Sequence, residues 1–257
     1  MRHSAVLLLA LALSACGTTG GSGVRNESPA PEAGKAQSAA EVNVSLGQAY
    51  LEQNRLELAL DKLKKALQLD PKLPSAHTVI AVIYERINDR ESAAFHYKRA
   101  TELAPKTGAV LNNYGAFLCH SGDYANADKY FERALKDPFY QTPGVAQGNR
   151  GSCAMQGGNL ELAEAALREA VKLNPNDPQA LFDMARVLHL RKDDFKARAY
   201  VQRCEAANGA TPELLELGMQ IEQGLSNIRG ERDYRVRLLK EFPESAQAQS
   251  IAKSEAR

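Results

Sequence analysis

Cysteine and histidine offer the most chemistry in this chain, and their placement limits what that chemistry can be. The five histidines, His3, His77, His96, His120 and His189, are scattered. None falls in an HExxH run or a close Cys/His ligand set, so no metal centre is expected. Cys119 and His120 are neighbours, but adjacent residues on a helix do not share a face. No GxxxxGK[ST], GxGxxG or GxSxG run sits between a strand and a helix, so no nucleotide cofactor or acyl-transfer nucleophile is expected. Strand signals are absent, and the carboxylates read as solvated helix surface. The sequence holds no catalytic constellation and implies no enzyme, no cofactor and no small-molecule substrate. What remains is the chemistry of four thiols: Cys16, Cys119, Cys153 and Cys204.

Cys16 has the clearest context. Met1-Arg2-His3 is a short positive start, and Ala5 to Ala12 is an unbroken apolar run. The run is too short to span a bilayer as a lasting anchor and reads as the apolar part of a signal peptide covering residues 1–15. It ends in Leu13-Ser14-Ala15-Cys16-Gly17. Small residues before a Cys at this point resemble the lipobox of bacterial lipoproteins. The resemblance implies cleavage before Cys16 and acylation of its thiol. An ordinary signal peptide with a chance Cys is the alternative. Each buried CH₂ of an acyl chain contributes ~0.8 kcal/mol, so several chains make a firm anchor. Gly17, rather than Asp, implies by the same resemblance the outer membrane, with the protein on its periplasmic face. Residues 16–39 then form the lipidated Cys and a tether rich in Gly, Ser, Pro and Ala, with a typical reach of ~25–30 Å.

Beyond the tether the elements are helices with a fixed period. The stretch Gly108 to Leu135 contains two amphipathic helices with a turn at Ser121-Gly122-Asp123. Gly115, Ala116, Ala127 and Ala134 sit where the two helices must touch, and Tyr114, Leu118, Tyr124 and Phe131 fill the space around them. Gly47, Tyr50, Ala59, Leu63, Ala66 and Pro71 recur 34 residues later as Ala81, Tyr84, Ala93, Tyr97, Ala100 and Pro105. They recur again as Gly115, Leu118, Ala127, Phe131 and Ala134, with Pro138 one residue early. After a small insertion at 139–143 the set reads Gly151, Ala154, Ala163, Leu167, Ala170 and Pro175. A fifth copy holds Ala185, Leu188, Ala197, Val201 and Cys204. A worn sixth holds Gly218, Ile221, Tyr234 and Pro243.

This spacing resembles the tetratricopeptide repeat (TPR). It implies an all-α fold, a right-handed superhelical solenoid of about six helix hairpins. The expected repeats are 40–73, 74–107, 108–143, 144–177, 178–210 and 211–245, with a C-terminal tail at 246–257. Asp70-Pro71, Asp137-Pro138 and Asn174-Pro175 should stop second helices, because the residue before Pro is pushed out of the α region. Terminal repeats cap such a stack, which fits the worn sixth copy. The net charge of +1 gives no argument for nucleic acid.

The repeats place two further thiols. Cys119 and Cys153 stand at positions 12 and 10 of the first helices of repeats three and four, which are neighbours. In an oxidising periplasm a disulfide Cys119–Cys153 is the favoured reading, and two buried thiols the alternative. Cys204 replaces a small core residue. In TPR folds one face of each first helix lines the concave wall. Val44, Gln48, Leu51, Val79 and Val82 fall on it, which predicts a docking surface for an apolar segment, unless the N-terminal linker or simple packing covers them. Asn112, Asn113, Asn149, Asp183 and Arg186 follow. Asn amides can hold an extended peptide backbone. The basic clamp by which chaperone-binding TPR domains grip a C-terminal carboxylate is missing, since Val44, Ala109 and Val145 occupy its positions.

A lipobox, a short tether and six TPRs resemble the type IV pilus biogenesis lipoproteins of the PilF/PilW kind. The residues that carry this are Val110-Leu111-Asn112-Asn113-Tyr114-Gly115 with Phe117-Leu118-Cys119, and then Gly122, Tyr124, Ala127, Phe131, Pro138 and Tyr140. Asn149-x-Gly151-x-Cys153 continues the pattern. The resemblance implies a pilotin-like adaptor that helps a secretin, or another pilus-assembly protein, reach the outer membrane and multimerise. The alternative is a periplasmic TPR lipoprotein serving cell-wall hydrolases or outer-membrane protein assembly.

Overall fold

The structure is a computed structural model that describes the backbone of residues 30–255 and the side chains of residues 38–253. The expected signal peptide, Cys16 and the first part of the expected tether lie outside the described residues. Six antiparallel hairpins follow one another. They are α1 (Ala30–Glu52) with α2 (Leu56–Leu69), α3 (Pro74–Arg86) with α4 (Arg90–Leu103), and α5 (Gly108–His120) with α6 (Tyr124–Leu135). Then come α7 (Pro143–Gln156) with α8 (Leu160–Leu173), α9 (Pro178–Leu190) with α10 (Asp194–Asn208), and α11 (Pro212–Gly224) with α12 (Ile228–Glu241). A last helix, α13 (Ala246–Glu255), packs on α11 and α12. Among the described residues every element is helical, and each hairpin touches only its sequence neighbours. This is the TPR solenoid that the 34-residue period predicts.

Each hairpin turn is built the same way. One residue per turn takes the left-handed conformation: Asn54, Asn88, Gly122, Gly158, Lys192 and Ser226. The next residue but one begins the second helix. In repeats two to six the intervening residue caps that helix. Asp89, Asp123, Asn159, Asp193 and Asn227 each accept a hydrogen bond from the backbone N–H three residues on. Such a cap contributes ~1 kcal/mol. Repeat one has Arg55 there and no side-chain cap.

The small residues of the repeat pattern are the points of helix contact. Ala59, Ala93, Ala127, Ala163 and Ala197 are fully buried. Leu63, Tyr97, Phe131, Leu167 and Val201, four residues on, are buried beside them. Gly151 shows how tight the approach is. A Cβ built there would lie 2.5 Å from Leu167 Cγ and 3.2 Å from the Ala163 carbonyl oxygen. Only a residue without a side chain lets α7 and α8 close to that distance.

Two boundaries differ from expectation. The tether expected to reach residue 39 is helical from Ala30, because Ala30–Val42 is rich in Ala, Glu, Gln and Lys, all strong helix formers. Pro31 is tolerated there because proline has no N–H to donate and a first-turn position has no intrahelical acceptor for one. The expected C-terminal tail is α13. Its Ala248 is buried with Leu215 and Leu238, and Ile251 packs against them, so it covers the open end of the last hairpin.

Candidate protein-binding groove

The first helices α1, α3, α5, α7, α9 and α11 contact one another in series and form the inner wall. Three of them enclose an open concavity of about 700 Å³. Gln48 and Leu51 come from α1, Thr78, Val79 and Val82 from α3, and Val110 and Asn113 from α5. Glu52 is the single charged residue lining it. The structure therefore brings together five of the residues that the sequence places on the inner wall: Gln48, Leu51, Val79, Val82 and Asn113. Thr78 and Val110 also line it and were not singled out. Counting 34 residues from the inward positions of α1 would have found Thr78, which aligns with Val44.

Val44 and Asn112 are placed differently. Val44 is only 5 % exposed and belongs to the core with Ala40, Leu63 and Ile80, so it offers no groove surface. The longer α1 lies close along α3 and covers it. Asn112 is buried, and its Oδ1 accepts a hydrogen bond of 3.1 Å from Asn149 Nδ2. This pair joins α5 to α7, so Asn112 is not free to hold a peptide backbone. Asn149 still lines a second concavity of about 450 Å³, with Gln141, Ser152, Asn174 and Gln179.

A buried carboxylate organises that second region. Asp183 is buried and accepts hydrogen bonds from Ser152 Oγ at 2.5 Å, Gln179 Nε2 at 2.9 Å and Arg186 at 3.3 Å. A charge taken from water needs this much compensation. The apolar and polar parts of the inner wall thus lie in different repeats. At the clamp positions, Ala109 and Val145 are exposed and uncharged. Among the described residues no three His, Cys, Asp or Glu side chains are grouped as a metal site.

Cys119 of α5 and Cys153 of α7 are joined in a disulfide, with their Cα atoms 5.7 Å apart. The bond crosses from repeat three to repeat four and lies in a cluster with Ala127 and Phe131. Cys204 is buried and free, and burial pushes its thiol pKa up.

A pair of histidines closes the second hairpin. His77 Nε2 lies 3.4 Å from the Pro71 carbonyl oxygen, which assigns it the proton and leaves Nδ1 as acceptor. His96 Nδ1, 2.9 Å away, is then the donor, and both rings are neutral. Burial, with His77 close by, lowers the His96 pKa to about 4. Burial lowers His77 as well, with Arg99 adding to the effect. The unfolded chain binds protons more readily than the folded one between about pH 6.5 and 4, so stability falls as pH drops through that window. His96 is half-buried, so after solvent screening the expected loss is about 1–2 kcal/mol. Urea titrations at pH 7.5 and pH 4.5 should show a larger loss in the native chain than in His96→Gln, where only His77 keeps a lowered pKa.

The fold and inner wall define a TPR scaffold, a class whose members bind other proteins. The description "TPR repeat" matches residues 47–88, and "Tetratricopeptide repeat" matches residues 74–107 and 149–211. Over 251 residues the chain is 26 % identical to the type IV pilus assembly protein PilF of Pseudomonas aeruginosa, covering 98 % of each chain. The crystal structure of PilW, a widely conserved type IV pilus biogenesis factor, superposes with a TM-score of 0.79 at 29 % identity, over 83 % of this chain and 98 % of that one. The structure of Pseudomonas aeruginosa PilF gives 0.76 at 25 % identity, over 86 % and 99 %. The chain is homologous to PilF and structurally close to PilW and PilF, both type IV pilus biogenesis TPR proteins.

Proposed function

We propose that this protein is an outer-membrane lipoprotein, acylated at Cys16 and facing the periplasm. In this reading it acts as a pilotin-like adaptor for type IV pilus biogenesis. Its inner wall captures an extended, largely aliphatic segment of a secretin subunit. Lipid-directed localisation and peptide capture on one chain raise the local concentration of subunits at the membrane where the ring assembles. No bond is made or broken.

The observation that carries this reading is the open concavity on repeats one to three. Its aliphatic lining is Leu51 and Val82, both partly exposed, with Val79 and Val110 nearly buried beside them, and it lacks the cations that would call for a carboxylate terminus. Aliphatic surface left open to water at the centre of a concave wall gains free energy when an apolar segment covers it, at ~25 cal/mol per Å². Leu51 and Val82 are only partly buried, so Leu51→Glu and Val82→Glu should leave the helices folded. Each variant, produced from the chromosomal locus, should deplete heat-resistant secretin multimers and surface pili as severely as gene deletion. Unchanged multimers with correctly folded variant would exclude this surface.

A further inference from the structure

The two long edges of the solenoid differ. One edge carries the turns inside the hairpins. The other carries the connections from each second helix to the next first helix, and α1 begins on this second edge, because α1 and α2 are antiparallel. On this edge Phe139, between α6 and α7, is 82 % exposed. It stands beside Pro105 and Pro138 in a shallow basin of about 760 Å³, whose charged residues are Lys106, Arg133, Lys136 and Asp137.

The loop that presents Phe139 is fixed from below. Asp137 accepts hydrogen bonds from the backbone N–H of Gly108 at 2.7 Å and of Phe139 at 2.9 Å. Its charge is therefore turned onto the start of α5, where the helix dipole favours it. Arg133 donates to the Pro105 carbonyl oxygen at 3.0 Å and lies over the Tyr130 ring. Lys106 and Lys136 are exposed, and Lys72, two connections earlier between α2 and α3, is a further exposed cation on the same edge. The result is an aromatic ring held out into solvent on a rigid turn, ringed by cations. That combination suits a bilayer interface, where apolar side chains enter the acyl boundary and Lys and Arg meet anionic headgroups.

We infer that this edge of the solenoid is a membrane-facing surface, with Phe139 entering the bilayer interface and Lys106, Arg133 and Lys136 binding anionic phospholipid headgroups. The direction of the chain agrees with it. Ala30 starts α1 on this edge, and the 14 residues from Cys16 to Ala30 (30 − 16) span at most ~50 Å. An acyl group on Cys16 would bring this edge within reach of the bilayer. With this edge on the bilayer, the concave wall would open sideways. The contact itself does not require the anchor, and the two are separable by experiment.

The chain contains no tryptophan, so a single substitution creates a unique probe. Phe139→Trp reports this edge. Phe195→Trp, 75 % exposed at the start of α10, reports the opposite edge. Each full-length variant is mixed with vesicles of phosphatidylethanolamine and phosphatidylglycerol, or of phosphatidylcholine alone, carrying brominated acyl chains. The Phe139→Trp emission should shift to the blue and be quenched with the anionic vesicles, while that of Phe195→Trp stays as in water. Adding Lys106→Ala and Lys136→Ala should lower the partition coefficient, read from quenching against lipid concentration, about thirtyfold, a factor of about five for each charge. Anchoring is read separately, as co-sedimentation with the neutral vesicles. A Phe139→Trp emission that stays water-like on anionic vesicles would overturn the proposal, as would equal quenching of both probes or indifference to the two lysines.

Discussion

Replacing Cys119 and Cys153 together by alanine should lower the unfolding free energy by about 3–4 kcal/mol. The bridge closes a loop with a sequence separation of 34, and in the chain-entropy model a loop of this size restricts the unfolded chain by that much. Alanine is the better replacement, because both sulfurs are buried beside Phe131 and Ala127 and serine would bring two hydroxyls into apolar surroundings. The effect should be local. A solenoid is stabilised by each repeat and by its contacts with its neighbours, so weakening the junction of repeats three and four should uncouple the two halves. Hydrogen exchange should show amides of α5 to α8 losing most protection, with α1 and α2 changed least. Reduction of the native protein with dithiothreitol should reproduce the same urea midpoint as the double alanine variant. A midpoint unmoved by either treatment would mean that the bridge contributes nothing to the folded protein.

Phe131→Ala should destabilise by about 3–5 kcal/mol, the range for emptying a buried aromatic site. Phe131 has no exposed surface, and its ring lies against Gly115, where a Cβ would come within 2.9 Å of Cε1. The ring fills the space that the missing side chain at Gly115 leaves, so α5 and α6 have nothing to close onto once it is removed. Phe131→Leu should lose less, about 1–1.5 kcal/mol, because most of the volume is kept. Phe139→Ala, eight residues on, should change stability by no more than ~0.5 kcal/mol, because its ring is solvated. Phe131 and the disulfide share one cluster, so their removals should not add. Equilibrium urea unfolding of the three single variants and of the combined variant checks this ordering.

Most of the solenoid was readable because its packing constraint repeats. A helix pair that must close to touching distance needs a small residue at the same position each time, and Ala59, Ala93, Ala127, Ala163 and Ala197 mark it. The turns were readable where glycine supplies the left-handed residue, at Gly122 and Gly158. They were less so at Lys192 and Ser226, where an ordinary residue is held in that conformation by its surroundings. The ends of the stack were harder. Nothing in the 34-residue period reaches α13, whose role is to cover Leu215 and Leu238 and which therefore follows no repeat rule. The extension of α1 shows a composition suited equally to solvated linker and to helix.

The inner wall was legible by register and less so by function. Adding 34 finds which residues look inward, as Val79, Val82 and Asn113 show. It does not find which of them are used up by contacts between repeats. Asn112 and Asn149 carry the same side chain on adjacent first helices and bond to each other. Val44 is covered because α1 and α3 pack closely. The buried hub at Asp183 depends on Ser152, 31 residues earlier, and only the folded chain brings the two together.

The central claim is that the inner wall of repeats one to three holds a secretin segment. Photo-crosslinking in cells tests it most directly, with a photoreactive residue placed at Val82 in the groove and, separately, at Leu58, which is exposed on α2. A secretin adduct from position 82 and none from position 58 is the result predicted here. An adduct from position 58 with none from position 82 would contradict it.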